Sequence, residues 1–286
     1  MATERFLIAV FSIFGICVYF VYGNSFVCLP SSDNWYAMSE NNTNERLQAL
    51  EEQVKQLQKL LQTDGATKHT TIEGVPSDCE EIYSSGIKSD GVYAISPDGR
   101  CPFFVYCDMQ NGGWTIIQRR LDGRVNFYKQ WDAYVTGFGN VEREHWLGLE
   151  KIHRLTRDGA QIYFDLQNWD GSKSDAHYKV FTVHGASTDY SMNVNAHGYQ
   201  GSFKELFSYH DNTKFSTYDR DNDASSSNCC KDYADGGGWW YKACYRLGMV
   251  NGVYGKKEEG GIGYWDTKFI PLKSVTIKVK KINGVC

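Results

Sequence analysis

Residues 214–244 read KFSTYDRDNDASSSNCCKDYADGGGWWYKAC, and this stretch decides what kind of domain the chain builds. Asp219, Asp221 and Asp223 alternate and run on into Ala224-Ser225-Ser226-Ser227-Asn228, so the loop offers hard carboxylate oxygens and backbone carbonyls, the ligand set calcium prefers. An EF-hand beginning at Asp219 requires Gly at 224 and Glu at 230. Ala224 and Cys230 stand there instead, so the helix-loop-helix reading fails. On spacing alone a solvated acidic turn competes with the metal loop, because Asp is common in turns. Downstream, Trp239, Trp240 and Tyr241 are either packed core or the walls of a ligand pocket.

The rest of the chain narrows the class. It has 286 residues, a net charge of −4 and 22% charged residues, which argues against a nucleic-acid binder and against a disordered chain. Aromatic residues at 15% and 28 Gly against 5 Pro suit short strands and tight turns. Beyond Asp78 short apolar runs recur between Gly, Asp and Asn turns: Val92–Ile95, Phe103–Tyr106, Trp114–Ile117, Ile162–Asp165, Tyr178–Phe181 and Val275–Val279. Glu144–Leu155 has helical spacing, with Trp146, Leu147, Ile152 and Leu155 apolar. The expected class is α+β with a mostly antiparallel sheet.

The N-terminal third reads differently. Phe6–Tyr22 carries no charge, a run between the length of a signal peptide's apolar core and that of a membrane span. Val21 and Gly23 provide small residues for cleavage before Asn24, so residues 1–23 read as a signal peptide, with a type II anchor as the alternative. Either way the remainder is extracellular, and Asn41-Asn42-Thr43 is a glycosylation sequon at Asn41. Residues 24–43 read as a stalk. Leu47, Leu50, Val54, Leu57 and Leu61 form one helical seam over 44–62, either a short oligomerising coiled coil or an amphipathic helix packed on the domain. Cys28 is placed for interchain bridging or for pairing within its own chain. Residues 63–76 are a linker, and 77–286 the globular domain.

Within that domain the motifs DCEEIYSSGIKSDGVYAI (78–95), FVYCDM (104–109), GGWTIIQRR (112–120), DGRVNFYKQW (122–131), GFGNVEREHWLGLEKIHRLT (137–156), FDLQNWDG (164–171), KFSTYDRDND (214–223), NCC (228–230), GGWWYKAC (237–244) and NGVYG (251–255) follow in order. With them the chain resembles the fibrinogen C-terminal (fibrinogen-related) domain family over roughly residues 77–281. The resemblance implies a central, mostly antiparallel sheet with short helices and a loop-rich C-terminal subdomain holding a calcium site and a ligand pocket. Ca2+ would be held by the Asp221 and Asp223 side chains and the carbonyls of Ser225 and Ser227, with Asp219 in support. It also implies disulfides Cys79–Cys107 and Cys229–Cys244, leaving Cys101, Cys230 and Cys286 unassigned.

The same resemblance implies a pocket beside the loop, floored by a cis peptide and formed by Asn228, Cys229, Tyr233, Ala243, Cys244, Tyr245 and the Glu258–Gly261 stretch. Three features depart from the acetyl-binding pattern: Tyr245 replaces a histidine, Glu-Glu-Gly-Gly replaces an aromatic loop, and the Lys231–Gly238 segment is two residues longer. The leading expectation is a secreted lectin-like homo-oligomer that gains avidity for glycans or acetylated compounds. The alternatives are a ligand for an extracellular protein receptor, akin to angiopoietin-like factors, and a type II membrane receptor. No Gly-X-Y repeat is present, which disfavours a ficolin. HExxH, GxSxG, Walker A and CxxC motifs are also lacking, so binding is expected rather than catalysis.

Overall fold

The computed structural model describes residues 74–244 and 249–282, together with the backbone of Leu7–Ser12 (β1) and Gly15–Phe20 (β2). The chain divides into two units, Met1–Glu73 and Gly74–Cys286. In the first, β1 and β2 pair antiparallel within the apolar run. The stalk, Asn41, Cys28 and the 44–62 seam lie outside the described residues. Among the described residues no helix is long and apolar enough to cross a membrane.

The second unit is built on an antiparallel sheet whose strands are Gly91–Ile95 (β3), Phe103–Asp108 (β4), Trp114–Arg120 (β5), Ala160–Asn168 (β8), Lys173–Val183 (β9), Met192–Asn195 (β10) and Phe269–Lys281 (β12), in spatial order β10-β9-β8-β12-β5-β4-β3. Each of the six apolar runs expected to be strands falls inside one of these. Short strands Phe138–Gly139 (β6) and His145–Trp146 (β7) extend the sheet from β5, and Gly263–Trp265 (β11) pairs with β12. Helix Cys79–Ser84 (α1) is capped by the Asp78 side chain, which accepts from the Glu81 N–H, and the Cys79–Cys107 disulfide ties it to β4.

The helical expectation for 144–155 needs correction. His145 and Trp146 are strand residues paired with Arg119 and Gln118, and the helix is Leu149–Thr156 (α3). Gly148 makes the break. Its φ is +109°, and a Cβ there would lie 2.6 Å from the Thr136 carbonyl, so only glycine lets β7 turn into α3 at this close approach.

A bulge interrupts β5. Ile277 of β12 faces Gln118 while Lys278 faces Ile116, leaving Ile117 as an extra residue. Beyond it Gln118 points into the core, where its Nε2 donates to the Val250 carbonyl and Asn251 Oδ1. Arg119 goes to the opposite face, its guanidinium 4.4 Å from the Tyr106 ring centroid, and Arg120 returns inward.

His145 is 1% exposed, with its ring nitrogens against the Arg143 and Ile116 carbonyls. Burial, aided by the charges of Arg119 and Lys151, pushes its pKa down from 6.5 to about 4 despite those carbonyls. The unfolded chain therefore takes up a proton that the folded one refuses, so stability falls as pH drops from 6.5 towards 4, by about 3 kcal/mol in all. Urea midpoints for the parent and His145→Gln should converge across that window; parallel profiles would refute the assignment.

Candidate functional site

The acidic loop is held from several sides. Asp219 accepts the Trp131 N–H at 3.0 Å, at the start of helix Trp131–Thr136 (α2), and the Thr217 hydroxyl at 2.7 Å. Arg220 lies 4.1 Å over the Trp131 ring and pairs with Asp189. Ala224 N–H donates to the Lys242 carbonyl at 2.7 Å, tying the loop to the segment after the tryptophans. Asn228 caps helix Cys229–Asp232 (α4), accepting from the Lys231 N–H, while its Nδ2 donates to the Thr217 and Tyr218 carbonyls.

Between these anchors lie the expected metal ligands. Asp221 is exposed and accepts the Asp223 N–H at 3.2 Å. Asp223 is half-buried, its two oxygens accepting from Ser225 N–H and Cys229 N–H at 2.8 Å each. Burial pushes the Asp223 carboxyl above its ordinary range, the Asp221 charge adds to this, and the two N–H donors oppose it. Two crowded carboxylates of this kind suit a divalent cation, and the hard oxygen set fits calcium. Among the described residues no three His, Cys, Asp or Glu side chains converge, so a calcium shell would have to be completed by backbone carbonyls, those of Ser225 and Ser227, and by water. Asp219 is spent on the α2 N-terminus and Thr217.

The expected ligand pocket is only partly present as surface. Cys229 and Cys244 form the second disulfide, with 0% and 5% exposure, and Asn228 is committed to capping. Tyr233 is half-buried, Ala243 is exposed, and Tyr245 lies outside the described residues. Among the described residues every peptide bond is trans, so neither Asn228–Cys229 nor Ala243–Cys244 supplies the cis floor; Cys244 turns the chain with a φ of +66° instead. Trp239, Trp240 and Tyr241 are each 1% exposed. Trp239 and Trp240 pack on Trp146, with Trp240 also 5.1 Å from Phe215 and donating its indole N–H to the Tyr190 carbonyl at 2.7 Å, and the Tyr241 hydroxyl donates to the Gly237 carbonyl, so all three are core.

Of the unassigned cysteines, Cys230 is a buried free thiol and Cys101 is disulfide-bonded, to a partner outside the described residues. Burial and the nearby carboxylates of Asp219, Asp223 and Asp221 push the Cys230 thiol well up, so it is held protonated.

Residues 75–282 match the family profile for fibrinogen beta and gamma chains, C-terminal globular domain. The chain belongs to the fibrinogen C-terminal domain family. It is 38% identical over 219 residues to fibrinogen-like protein A of Apostichopus parvimensis, covering 72% of this chain and 77% of that protein. It is 37% identical over 216 residues to mouse angiopoietin-related protein 7, covering 71% of this chain and 63% of that one. Among solved structures, the fibrinogen-like globe domain of human ANGPTL2 superposes with a TM-score of 0.66 at 34% identity, over 72% of this chain and 99% of that domain. A lamprey fibrin D-dimer complexed with the peptide Gly-His-Arg-Pro-amide gives 0.64 at 29% identity, over 84% and 87%. The sheet, the short helices and both expected disulfides agree with this membership.

Proposed function

We propose that this fibrinogen-related chain is an extracellular recognition protein whose C-terminal subdomain binds a protein partner beside a calcium-stiffened loop. The observation that carries the reading is how the loop region spends its side chains. Trp239, Trp240 and Tyr241 are buried, and Asn228, Cys229 and Cys244 are committed to a cap and a disulfide, which favours surface contact over a deep small-molecule pocket. Similarity to angiopoietin-related protein 7 supports it, as do the disulfides, which suit an oxidising compartment. Secretion after cleavage before Asn24, and oligomerisation through 44–62 with Cys28 bridging, complete the proposal. Recognition rather than turnover is its activity.

Exposed Ala243 and half-exposed Tyr233 support a second reading, a methyl-sized contact for acetylated sugars. Calcium-dependent retention on N-acetylglucosamine resin, competed by acetate, would replace the protein-ligand reading. No retention is the expected result.

For calcium, the parent melting temperature should rise over its value in chelator, by the equivalent of about 2.7 kcal/mol at a hundredfold excess over Kd. Asp221→Ala and Asp223→Ala should each abolish the rise. A parent that melts identically with calcium and with chelator would remove the metal from the proposal.

A further inference from the structure

The central sheet ends in two edge strands, and they are treated differently. At β10 the Met192 N–H donates to the Thr213 carbonyl at 2.9 Å, the Met192 carbonyl accepts the Asn212 N–H at 3.0 Å, and the Val194 N–H donates to Asp211 Oδ1 at 2.8 Å. That edge is blunted by its own neighbours. At β3 the Ser96 N–H, just past the strand, points away from β4 to the Pro76 carbonyl at 2.8 Å. By the alternation of an antiparallel ladder, Val92 and Ala94 turn their N–H and C=O groups to the same open side. In β4 the Met109 N–H turns back to Asp90 while the Asp108 carbonyl accepts from Gly113, which fixes the same parity. Among the described residues nothing pairs with these groups of Val92 and Ala94. Gly91–Ile95 also carries no charge, proline or bulge of the kind that guards an edge.

The face beside this edge is apolar. Val92 stands opposite Tyr106 and Ala94 opposite Phe104, and Phe104 is 47% exposed. Phe103, Val105 and Cys107 point to the other face and are buried, so the outward row is additional to the core.

We propose that β3 is a pairing edge for a second copy of this chain, the two strands running antiparallel about a two-fold axis at Tyr93. Self-complementarity selects this occupant. With Tyr93 opposite Tyr93, Val92 of each copy lies opposite Ala94 of the other, and each free N–H meets a free carbonyl. The same axis keeps both outward faces on one side of the joined sheet. Tyr106 and Val92 of one copy then continue into Ala94 and Phe104 of the other as a single apolar row, with its symmetric twin alongside. At the axis the two Tyr93 side chains occupy the closely spaced, non-hydrogen-bonded position, which favours an aromatic pair. The seam is an interface separate from the proposed 44–62 coil.

The test uses the full-length chain. In hydrogen exchange the Val92 and Ala94 amides should be protected in the parent. Ala94→Pro removes a donor that the domain itself does not use, so Val92 exchange should quicken at least about tenfold while the melting temperature stays close to the parent's. Tyr93→Cys then asks what covers the edge, since a two-fold seam alone brings position 93 against itself at disulfide distance. Mild oxidation with oxidised glutathione should join two copies at that position, and adding Ala94→Pro should abolish the link. Rapid exchange of both amides in the parent would overturn the proposal. Protection without any link at position 93, in a variant that melts like the parent, would assign the edge to another segment or partner and overturn it equally.

Discussion

Glu144→Ala is expected to lower stability by more than about 4 kcal/mol, the largest effect of any single replacement considered for this domain. Glu144 is 1% exposed, and three backbone N–H groups of the 121–125 turn lose their acceptor with it. Arg120, itself 1% exposed, simultaneously becomes a buried cation without a counter-charge. Burial already draws the Arg120 guanidinium down to about 10, with Glu144 the main opposing influence. In thermal melts the loss corresponds to a drop of roughly 10 °C or more. Glu144→Gln, which keeps one accepting oxygen and loses the charge, should fall between parent and alanine variant. Adding Arg120→Met to Glu144→Gln should recover part of the loss, since an apolar side chain replaces an unpaired buried ion. Parent-like melting of Glu144→Ala would show that the turn does not depend on this acid.

Asp98→Ala should cost about 3–5 kcal/mol by the same physics at the opposite end of α3. The Asp98 side chain is 1% exposed, and Arg154 of α3, 11% exposed, grips it with Nε 3.1 Å from each oxygen. Arg100 and Arg157 approach at 3.2 and 3.8 Å, so removing one carboxylate leaves three guanidinium groups around a vacated site. Burial raises the Asp98 pKa, but the hydrogen bonds and charge of Arg154, with help from Arg100, outweigh it and hold the carboxyl below its ordinary 3.8. This contribution is intact above pH 3.8 and is lost as pH falls through the lower, folded value, a window below that of His145. Chemical denaturation of Asp98→Ala and Arg154→Met singly and together reads the coupling. Additive losses would mean that the pair does not act as a unit.

The legibility of the sequence follows what periodicity can and cannot encode. Strands such as Val92–Ile95 and Val275–Val279 announce themselves because buried strand faces require apolar side chains at short range. The 144–155 segment misleads because His145 and Trp146 obey a long-range pairing with β5, while their apolar spacing is equally compatible with a helix. Asp221 and Asp223 were visible as an alternating acidic loop, and the capping role of Asp219 was not, since Trp131 lies 88 positions away. Arg120, Glu144, Asp98 and Arg154 read as surface charges in one dimension; only folding brings each beside its counter-ion and away from water. The Trp-Trp-Tyr run left core and pocket open, and burial decides for core.

The extra residue in β5 has a consequence for insertions and deletions. Ile117 is the residue that lets Gln118 and Arg120 face inward and Arg119 the opposite way while Ile116 and Lys278 stay paired. Deleting Ile117 with the pairing of β12 kept would remove the bulge and leave Gln118, Arg119 and Arg120 on the faces they now occupy. A deletion at Arg119 would instead carry Arg120 to the opposite face and away from Glu144. The strand therefore tolerates a shortening at the bulge that it does not tolerate two residues later.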